Sequence, residues 1–299
     1  MRTAEWDRLE QGVLAFYRVA RRPATATRVA KVLREVAEFG DGSPNVTTTQ
    51  VASWVASRPD RAPLTWSVYL SYLRAALSFA LDEGWCERVP VWRRLKQPLP
   101  PRAVPRHLTA AELRRLIGAL GESAASGEFR PRRLLAAVST IAYTGLRRSE
   151  ALFLRVDDLD LATGLLRVRS HPLRPLKTPW SAQPVPVAPE LESILRAWLP
   201  FAGEPWLFPG ERRRGPWAWG SAGRQPVDEL LAAAKGLGLG RVTWSTLRHT
   251  WATQAESRWG LTAPQIQRVL RHTSPRTQGF YCHSDDANLA EIGRRISLS

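Results

Sequence analysis

The stretch Thr243-Trp-Ser-Thr-Leu-Arg-His-Thr-Trp-Ala-Thr253 is followed closely by two further polar clusters. They read Leu270-Arg-His-Thr-Ser274 and Gln278-Gly-Phe-Tyr-Cys-His283. An arginine, a histidine and a tyrosine therefore lie within one short span of the chain. Side chains of these three types can bind a phosphate diester, donate a proton to it and attack its phosphorus atom.

Three side chains in this span have the chemistry that phosphate transfer requires. Arg248 offers a planar fork of donors that matches two non-bridging phosphate oxygens. His272 can donate a hydrogen bond to the same group or move a proton near neutral pH. Tyr281 carries a hydroxyl that becomes a nucleophile once a neighbouring group helps it to lose its proton. Each residue type is common in other settings, so the prediction depends on the rest of the chain.

The chain is strongly basic along its whole length. It carries 43 lysine and arginine side chains against 27 acidic ones, which gives a formal net charge of +16. Residues 1–100 contain 15 basic and 10 acidic side chains, so the remainder of the chain has a positive excess as well. A codon preference explains why arginine outnumbers lysine, but it does not explain the excess over acidic residues. The balance indicates a polyanionic partner such as nucleic acid.

The cysteines and the hydropathy pattern bear on the compartment. Cys86 and Cys282 have no CxxC spacing and cannot form a structural zinc site between them. A reducing interior is the simplest compartment for such a chain. No apolar run reaches transmembrane length, and the N-terminus has no signal-peptide core. We therefore expect a cytoplasmic protein that has no membrane partner.

Residues 1–96 are predicted to form a small helical domain. Apolar residues recur at helical spacing, and Thr47-Thr-Thr-Gln50 is a capping box that begins a helix running through Ala56. Basic residues in the connections suit a module that grips a DNA duplex, although a plain helical bundle with a solvated surface fits the same pattern. Residues 97–106 are rich in proline and basic residues, which indicates an extended cationic linker.

Residues 107–299 are predicted to form a second domain of helices with a small antiparallel sheet. A capping box at Thr109–Glu112 begins its first helix. Leu165–Arg169 and Gln183–Val187 alternate as strands do, and the loop between them carries Lys177. The two strands are therefore expected to lie side by side on one flank of the helices.

A segment rich in tryptophan, glycine and arginine runs from Gly203 to Gln225 and shows no regular periodicity. Most of the 13 tryptophans of the chain are expected in the cores of the domains. Trp217 and Trp219 in this segment are interpreted as candidates for base stacking or for an interface.

Five short motifs follow one another in a fixed order along the second domain. They are Tyr143-Thr-Gly-Leu-Arg147-Arg-Ser-Glu150, Leu176-Lys177-Thr178, Leu247-Arg248-His249-Thr250, Leu270-Arg271-His272-Thr273-Ser274 and Tyr281-Cys282-His283. In this order, and with their step from histidine to tyrosine, they resemble the tyrosine site-specific recombinases, also called the phage integrase family. The resemblance covers about residues 107–299, and the N-terminal part is similar to that family's core-binding domain in size and place.

The resemblance implies a mainly α fold with a Xer-like two-domain architecture. Residues 1–96 would form a SAM-like helical core-binding domain, and residues 97–106 would be the basic, proline-rich linker. Residues 107–299 would form a mixed α+β catalytic domain with a small antiparallel sheet.

The resemblance also implies roles for five side chains. Arg147 and Arg248 would hold the scissile phosphate and offset the charge of its pentacoordinate transition state. Lys177 would protonate the departing 5′ oxygen, because an arginine is too basic to be a good proton donor. His272 would donate a hydrogen bond to a phosphate oxygen. Tyr281 would attack as the nucleophile and form a 3′-phosphotyrosine.

Two further positions complete the expected site. Glu150 would position the groups around Arg147. The family usually has a histidine three residues before its second arginine, whereas this chain has Ser245, which can form hydrogen bonds but cannot store a proton near pH 7. His249 directly follows Arg248, and on a helix it points about 100° away from that residue, so it is not expected to substitute.

The resemblance implies a DNA strand transferase that uses no cofactor, because a phosphotyrosine conserves the energy of the broken bond without ATP or a metal. Its partner would be double-stranded DNA, bound by a homo-tetramer in the synaptic complex, and a heteromeric recombinase partner is compatible with it. Two alternatives stay open. One is a type IB topoisomerase, which shares the same side-chain chemistry, and the other is a catalytically weakened or silent DNA-binding protein that lacks the histidine at position 245.

Overall fold

The computed structural model describes residues 3–19, 23–95, 105–176, 182–212, 215–217, 224–271 and 292–297. The chain divides into two compact units, Met1–Ala103 and Val104–Ser299. Most of the proposed linker, residues 97–106, lies outside the described residues, so the exact domain boundaries stay a prediction.

The first unit is helical throughout its described part. Its helices are α1 (Ala4–Val19), α2 (Pro23–Phe39), α3 (Thr48–Ala56) and α4 (Pro63–Asp82), with a 3-10 turn at Trp92–Leu95. Large apolar side chains from all four helices are fully buried between them, among them Trp6, Leu33, Trp54, Leu73 and Leu77.

The predicted capping box at the start of α3 is confirmed. The Gln50 backbone N–H donates to Thr47 Oγ1 at 3.2 Å, and the Thr47 N–H donates to Gln50 Oε1 at 2.7 Å. These bonds satisfy backbone donors that have no partner within the helix, an arrangement worth about 1 kcal/mol. Across the described parts of both units, none of the helices combines the length and apolar character needed to cross a lipid bilayer.

The second unit is built around one nearly buried helix. Its helices are α5 (Ala110–Ala124), α6 (Phe129–Thr144), α7 (Arg148–Ala151), α8 (Pro189–Trp198), α9 (Gln225–Gly236), α10 (Trp244–Ser257) and α11 (Ala263–Leu270). From Ala136 to Thr144 every residue of α6 is buried, because α5, α8 and α10 all pack against this helix. A helix that is covered on all sides in this way is the centre of its domain.

A three-stranded antiparallel sheet lies within the second unit, and the predicted mainly α fold with a small antiparallel sheet is confirmed. The strands are β1 (Leu159–Asp160), β2 (Leu165–Arg167) and β3 (Pro184–Pro186), in the order β1-β2-β3. Leu166 pairs with Leu159 on one side and with Val185 on the other. The sequence pattern predicted β2 and β3 but not the short strand β1.

The segment rich in tryptophan packs into the core of the second unit. Trp217 is fully buried, its backbone N–H donates to the Phe208 carbonyl at 2.8 Å, and its ring lies 4.0 Å from the Arg133 guanidinium carbon. The interpretation of Trp217 as a residue for base stacking or for an interface is therefore wrong, since a cation–π contact and core packing occupy the ring. Trp219 lies outside the described residues.

The C-terminal residues 292–297 dock on their own unit. Ile292 and Ile296 are 1% and 0% exposed. The Trp259 indole N–H donates to the Ser297 carbonyl at 2.7 Å, and the Ser297 hydroxyl donates to Glu190 Oε1 at 2.5 Å. This segment therefore occupies a docking site on its own unit, where buried apolar side chains and hydrogen bonds both hold it.

Candidate active site

A sharp turn after α6 brings the first motif to the site. Helix α6 ends at Gly145, whose φ of +64° lies in the left-handed region that side-chain-bearing residues rarely adopt. A Cβ atom at this position would lie 2.8 Å from a methyl carbon of Leu270 and 3.0 Å from the Trp251 ring. Glycine is thus required both for the backbone angle and for the close approach, and it directs the chain towards Arg147.

Glu150 holds Arg147 by its backbone and by its side chain. The Arg147 N–H donates to Glu150 Oε2 at 2.9 Å, and Arg147 Nη1 donates to Glu150 Oε1 at 2.9 Å. The Arg147 side chain nevertheless stays 41% exposed, whereas the Glu150 side chain is only 5% exposed. The guanidinium is therefore fixed in orientation while part of its surface is open to a ligand.

Arg248, on α10, joins the ends of two other helices. Its Nη1 donates to the Gly145 carbonyl, and its Nη2 donates to the Leu270 carbonyl at 2.9 Å. Burial lowers the pKa of Arg248 to about 10, and the nearby positive charges of Arg147 and Arg271 add to this effect. The side chain still carries its charge at neutral pH, and it gains energy from any anion that comes within reach.

Arg271 is a third arginine in this cluster, and sequence reasoning gave it no role. Its side chain is fully buried, and its Nη2 donates to Glu150 Oε2 at 2.5 Å. Burial by itself would raise the pKa of Glu150, but the charge of Arg271 and the bonds from Arg147 outweigh this effect and hold the pKa below its ordinary value. A charged residue directly after a helix that ends in Val269-Leu270 was the only signal in the sequence.

The cluster as a whole has an excess of positive charge. Arg147, Arg248 and Arg271 influence one another electrostatically, and among the described residues Glu150 is the acidic group that acts on all three. A single carboxylate cannot neutralise three guanidinium groups. The arrangement is therefore suited to receive an anion with several oxygen atoms, such as a phosphate diester.

Ser245 lies on the exposed side of α10, one helical turn before His249. Its hydroxyl oxygen is 3.3 Å from His249 Nε2, which is a hydrogen-bond distance. The sequence expectation considered only the angle between His249 and Arg248, and it did not consider that residues four apart face each other on a helix. An imidazole therefore contacts position 245 although it is carried by another residue.

Three of the expected site residues cannot be placed relative to this cluster. Lys177, His272 and Tyr281 lie outside the described residues. Their roles stay predictions from the sequence, whereas Arg147, Glu150, Ser245 and Arg248 have defined surroundings.

Comparison with known proteins identifies the family. The model of the phage integrase family matches residues 106–288. The tyrosine recombinase XerC of Azotobacter vinelandii is 32% identical over 230 residues, which cover 75% of this chain and 70% of the relative. The tyrosine recombinase XerC of Pseudomonas aeruginosa strain LESB58 is 30% identical over 231 residues, with 75% and 69% covered.

Solved structures show the same fold. A lambda integrase dimer bound to a core site aligns with a TM-score of 0.67 at 19% identity, covering 94% of this chain and 98% of that one. A lambda integrase tetramer bound to a Holliday junction aligns with a TM-score of 0.66 at 21% identity, covering 92% and 78%. The family itself is shown by the family model, which matches more than half of the chain, and by the two XerC relatives: the chain belongs to the phage integrase family and is a site-specific tyrosine recombinase.

Proposed function

We propose that this tyrosine recombinase cleaves and rejoins strands of double-stranded DNA through a 3′-phosphotyrosine at Tyr281. The observation that carries the proposal is the convergence of Arg147 and Arg248 from separate motifs at one cationic cluster. Both are the residues that the family resemblance assigns to the scissile phosphate. Their placement supports a site built for one phosphate diester with charge developing on its oxygens.

The two arginines have complementary parts in this proposal. Arg147 is partly exposed and turns an open face of its guanidinium to the DNA, while Glu150 keeps it from changing rotamer. Arg248 is held by two backbone carbonyls and supplies fixed positive charge. Donors that are already oriented cost no reorganisation as charge builds up in the transition state, and this is why they accelerate the reaction.

The proposed chemical step replaces one phosphorus–oxygen bond of the DNA by another, to the tyrosine. The Tyr281 hydroxyl oxygen attacks the phosphorus and gives up its proton to water, a bond from phosphorus to the tyrosine oxygen forms, and the bond to the 5′ oxygen breaks. The leaving 5′ oxygen takes a proton from Lys177, and His272 donates a hydrogen bond to a phosphate oxygen. Rejoining is the reverse reaction with a 5′ hydroxyl of a partner strand.

A covalent-trapping assay tests the proposal. The protein first selects its site from fragmented genomic DNA. A nick is then placed on the 3′ side of the cleavage position, so that the short fragment with the new 5′ hydroxyl diffuses away after cleavage. We expect a protein–DNA adduct that survives denaturant. Absence of any adduct on a site that the protein binds specifically would instead support a silent DNA-binding protein of the same fold.

Ser245 offers a direct measure of what the missing histidine contributes. We expect Ser245→His to form the adduct faster than the wild type, because an imidazole there can help Tyr281 to lose its proton. General acid–base assistance is worth roughly 10²–10⁴-fold when fully positioned, so even partial recovery is measurable. The measurement is the single-turnover rate on the nicked duplex.

Ser245→Ala is the matched control for that experiment, because it removes the contact with His249 and adds no imidazole. We expect it to be no faster than the wild type. Equal rates for the wild type and both variants would show that position 245 has no part in the chemistry.

We further propose that the protein acts in the cytoplasm as a homo-tetramer on DNA, with exchange of the C-terminal segment between subunits. Residues 292–297 support this proposal, since they bind through two buried isoleucines and a few hydrogen bonds that involve side chains, at a docking site that a second copy also has. The two lambda integrase structures named above are a dimer and a tetramer on DNA. A heteromeric recombinase partner would be accommodated in the same way.

Truncation before Asp286 is expected to preserve binding to a single site and to abolish pairing of two duplexes. The truncated protein lacks the segment that would occupy the docking site of the neighbouring subunit. Gel shift measures single-site binding, and light scattering with two labelled duplexes measures pairing. Ile296→Asp in the full chain is the companion variant, since it spoils the apolar contact without shortening the protein. Unchanged pairing in both variants would rule out the exchange.

A further inference from the structure

Arg271 has a backbone conformation that its side chain disfavours. With φ of 52° and ψ of 45° it follows α11 in the left-handed region, and it is the only residue other than glycine with positive φ in the described part of the chain. Glycine is the usual residue in this position after a helix, because a Cβ atom crowds the neighbouring carbonyl. An arginine retained here must therefore be held by its side chain.

Within the described part of the chain, the side chain of Arg271 is held by Glu150 and by one backbone carbonyl. Nη2 donates to Glu150 Oε2 at 2.5 Å, and Nη1 donates to the Val269 carbonyl at 3.2 Å. Nε is buried and has no hydrogen-bond partner among the described residues. A buried cation with incomplete hydrogen bonding is poorly explained by stability alone, because an apolar side chain would avoid the cost of desolvation.

Glu150 passes the effect of Arg271 on to Arg147. Oxygen Oε2 accepts hydrogen bonds from both Arg271 Nη2 and the Arg147 backbone N–H, while Oε1 accepts one from Arg147 Nη1. The position of the carboxylate thus fixes both the main chain and the guanidinium of Arg147. Because Arg271 holds that carboxylate, the orientation of Arg147 depends on a residue 121 positions away from Glu150 in sequence.

The same turn also contacts the second arginine of the site. The Leu270 carbonyl, directly before Arg271, accepts a hydrogen bond from Arg248 Nη2 at 2.9 Å. The left-handed conformation of Arg271 sets the direction of the chain at this point. One turn therefore contacts Arg248 through a carbonyl and Arg147 through the Arg271–Glu150 ion pair.

We propose that Arg271 is a positioning residue that aligns Arg147 with Arg248 for binding of the transition state. This inference rests on the proposed function of those two arginines at the scissile phosphate. Because the Arg271 side chain is fully buried, we expect it to make no contact with DNA. Its loss therefore slows cleavage while specific binding of DNA in the ground state is retained.

The test compares Arg271→Gly with the wild type on two nicked duplexes. Glycine accepts the left-handed backbone and removes only the side chain. One duplex has an ordinary phosphate diester at the cleavage position, and the other has a neutral methylphosphonate, which lacks one of the charged oxygens that the arginines bind. We expect adduct formation on the phosphate diester to fall by about 10- to 100-fold, as for other residues that orient a reacting group, and the defect to shrink on the methylphosphonate.

Two companion variants keep the result interpretable. Arg271→Lys retains the charge but loses the fork, and we expect an intermediate rate even if the glycine variant is too unstable to study. Arg133→Lys changes another fully buried arginine, which does not belong to the cluster of Arg147, Arg248 and Arg271. Arg133 Nη2 lies 3.5 Å from Glu229 Oε1. This variant is expected to lower thermal stability without changing the ratio of the two cleavage rates.

The outcomes separate this inference from the proposed function. Wild-type cleavage rates in a folded Arg271→Gly protein, or an equal loss on both duplexes, would overturn the positioning role and leave the recombinase mechanism intact. If the wild type itself forms no adduct on its selected site, the mechanism fails, and the role of Arg271 fails with it.

Discussion

Tyr281→Phe is expected to abolish the covalent protein–DNA adduct while specific DNA binding stays unchanged. The substitution removes only the hydroxyl oxygen that would form the bond to phosphorus, and no other atom of the ring. Loss of a nucleophile leaves binding energy intact but removes the covalent step. The measurement is the fraction of nicked duplex that migrates with the protein after denaturation, set beside a gel shift under native conditions.

Tyr143→Phe is the matched control, since it removes a hydroxyl from another tyrosine of the same unit. Tyr143 is 4% exposed, and burial raises the pKa of its hydroxyl to about 12, which makes it a poor nucleophile. We expect the control to form the adduct as the wild type does. An adduct formed by the Tyr281→Phe protein would show that another residue attacks, and Cys282→Ser in the same background would then test the neighbouring thiol.

Arg248→Lys is expected to lower the rate of adduct formation by roughly 10²–10³-fold, the usual cost of losing one oriented donor to the transition state. The charge is kept, but a lysine has a single nitrogen. It cannot bind the Gly145 and Leu270 carbonyls at once and present a planar fork to a phosphate. Single-turnover cleavage at saturating protein measures this effect apart from any change in DNA affinity.

A second arginine, at the opposite end of the same helix, provides the comparison for Arg248. Arg258 is exposed at the C-terminal end of α10, so Arg258→Lys is expected to cleave at nearly the wild-type rate. Thermal melting of both variants shows whether the loss in Arg248→Lys exceeds what lower stability explains. A rate within about twofold of the wild type would exclude Arg248 from transition-state binding, since that is far below the expected cost.

Much of the local structure could be predicted from the sequence because its causes are local. The capping boxes at Thr47 and Thr109 depend on residues three positions apart, and both begin helices as predicted. Strands β2 and β3 follow from alternation of side chains within a few residues. The order of the motifs indicated the family for the same reason, since each motif is a short run of neighbours.

Burial of the less regular segments depended on tertiary packing. Strand β1 is only two residues long, and it exists because β2 offers it hydrogen-bonding partners. Trp217 lies in a segment without regular sequence periodicity, yet it is fully buried. Its ring packs against Arg133, and its backbone N–H donates to the Phe208 carbonyl. Secondary-structure propensity over a short stretch of sequence predicts neither of these contacts.

In the sequence, the resemblance to the tyrosine recombinases indicated Lys177, His272 and Tyr281 as reacting groups and Arg147 and Arg248 as phosphate ligands. Only the tertiary structure revealed how two of these are held. Arg248 binds the carbonyl of a residue 103 positions away, and Arg271 reaches Glu150 across 121 positions. Such contacts form when helix ends from distant parts of the chain meet. The contacts that orient the site therefore join residues far apart in sequence, and a local sequence pattern does not reveal them.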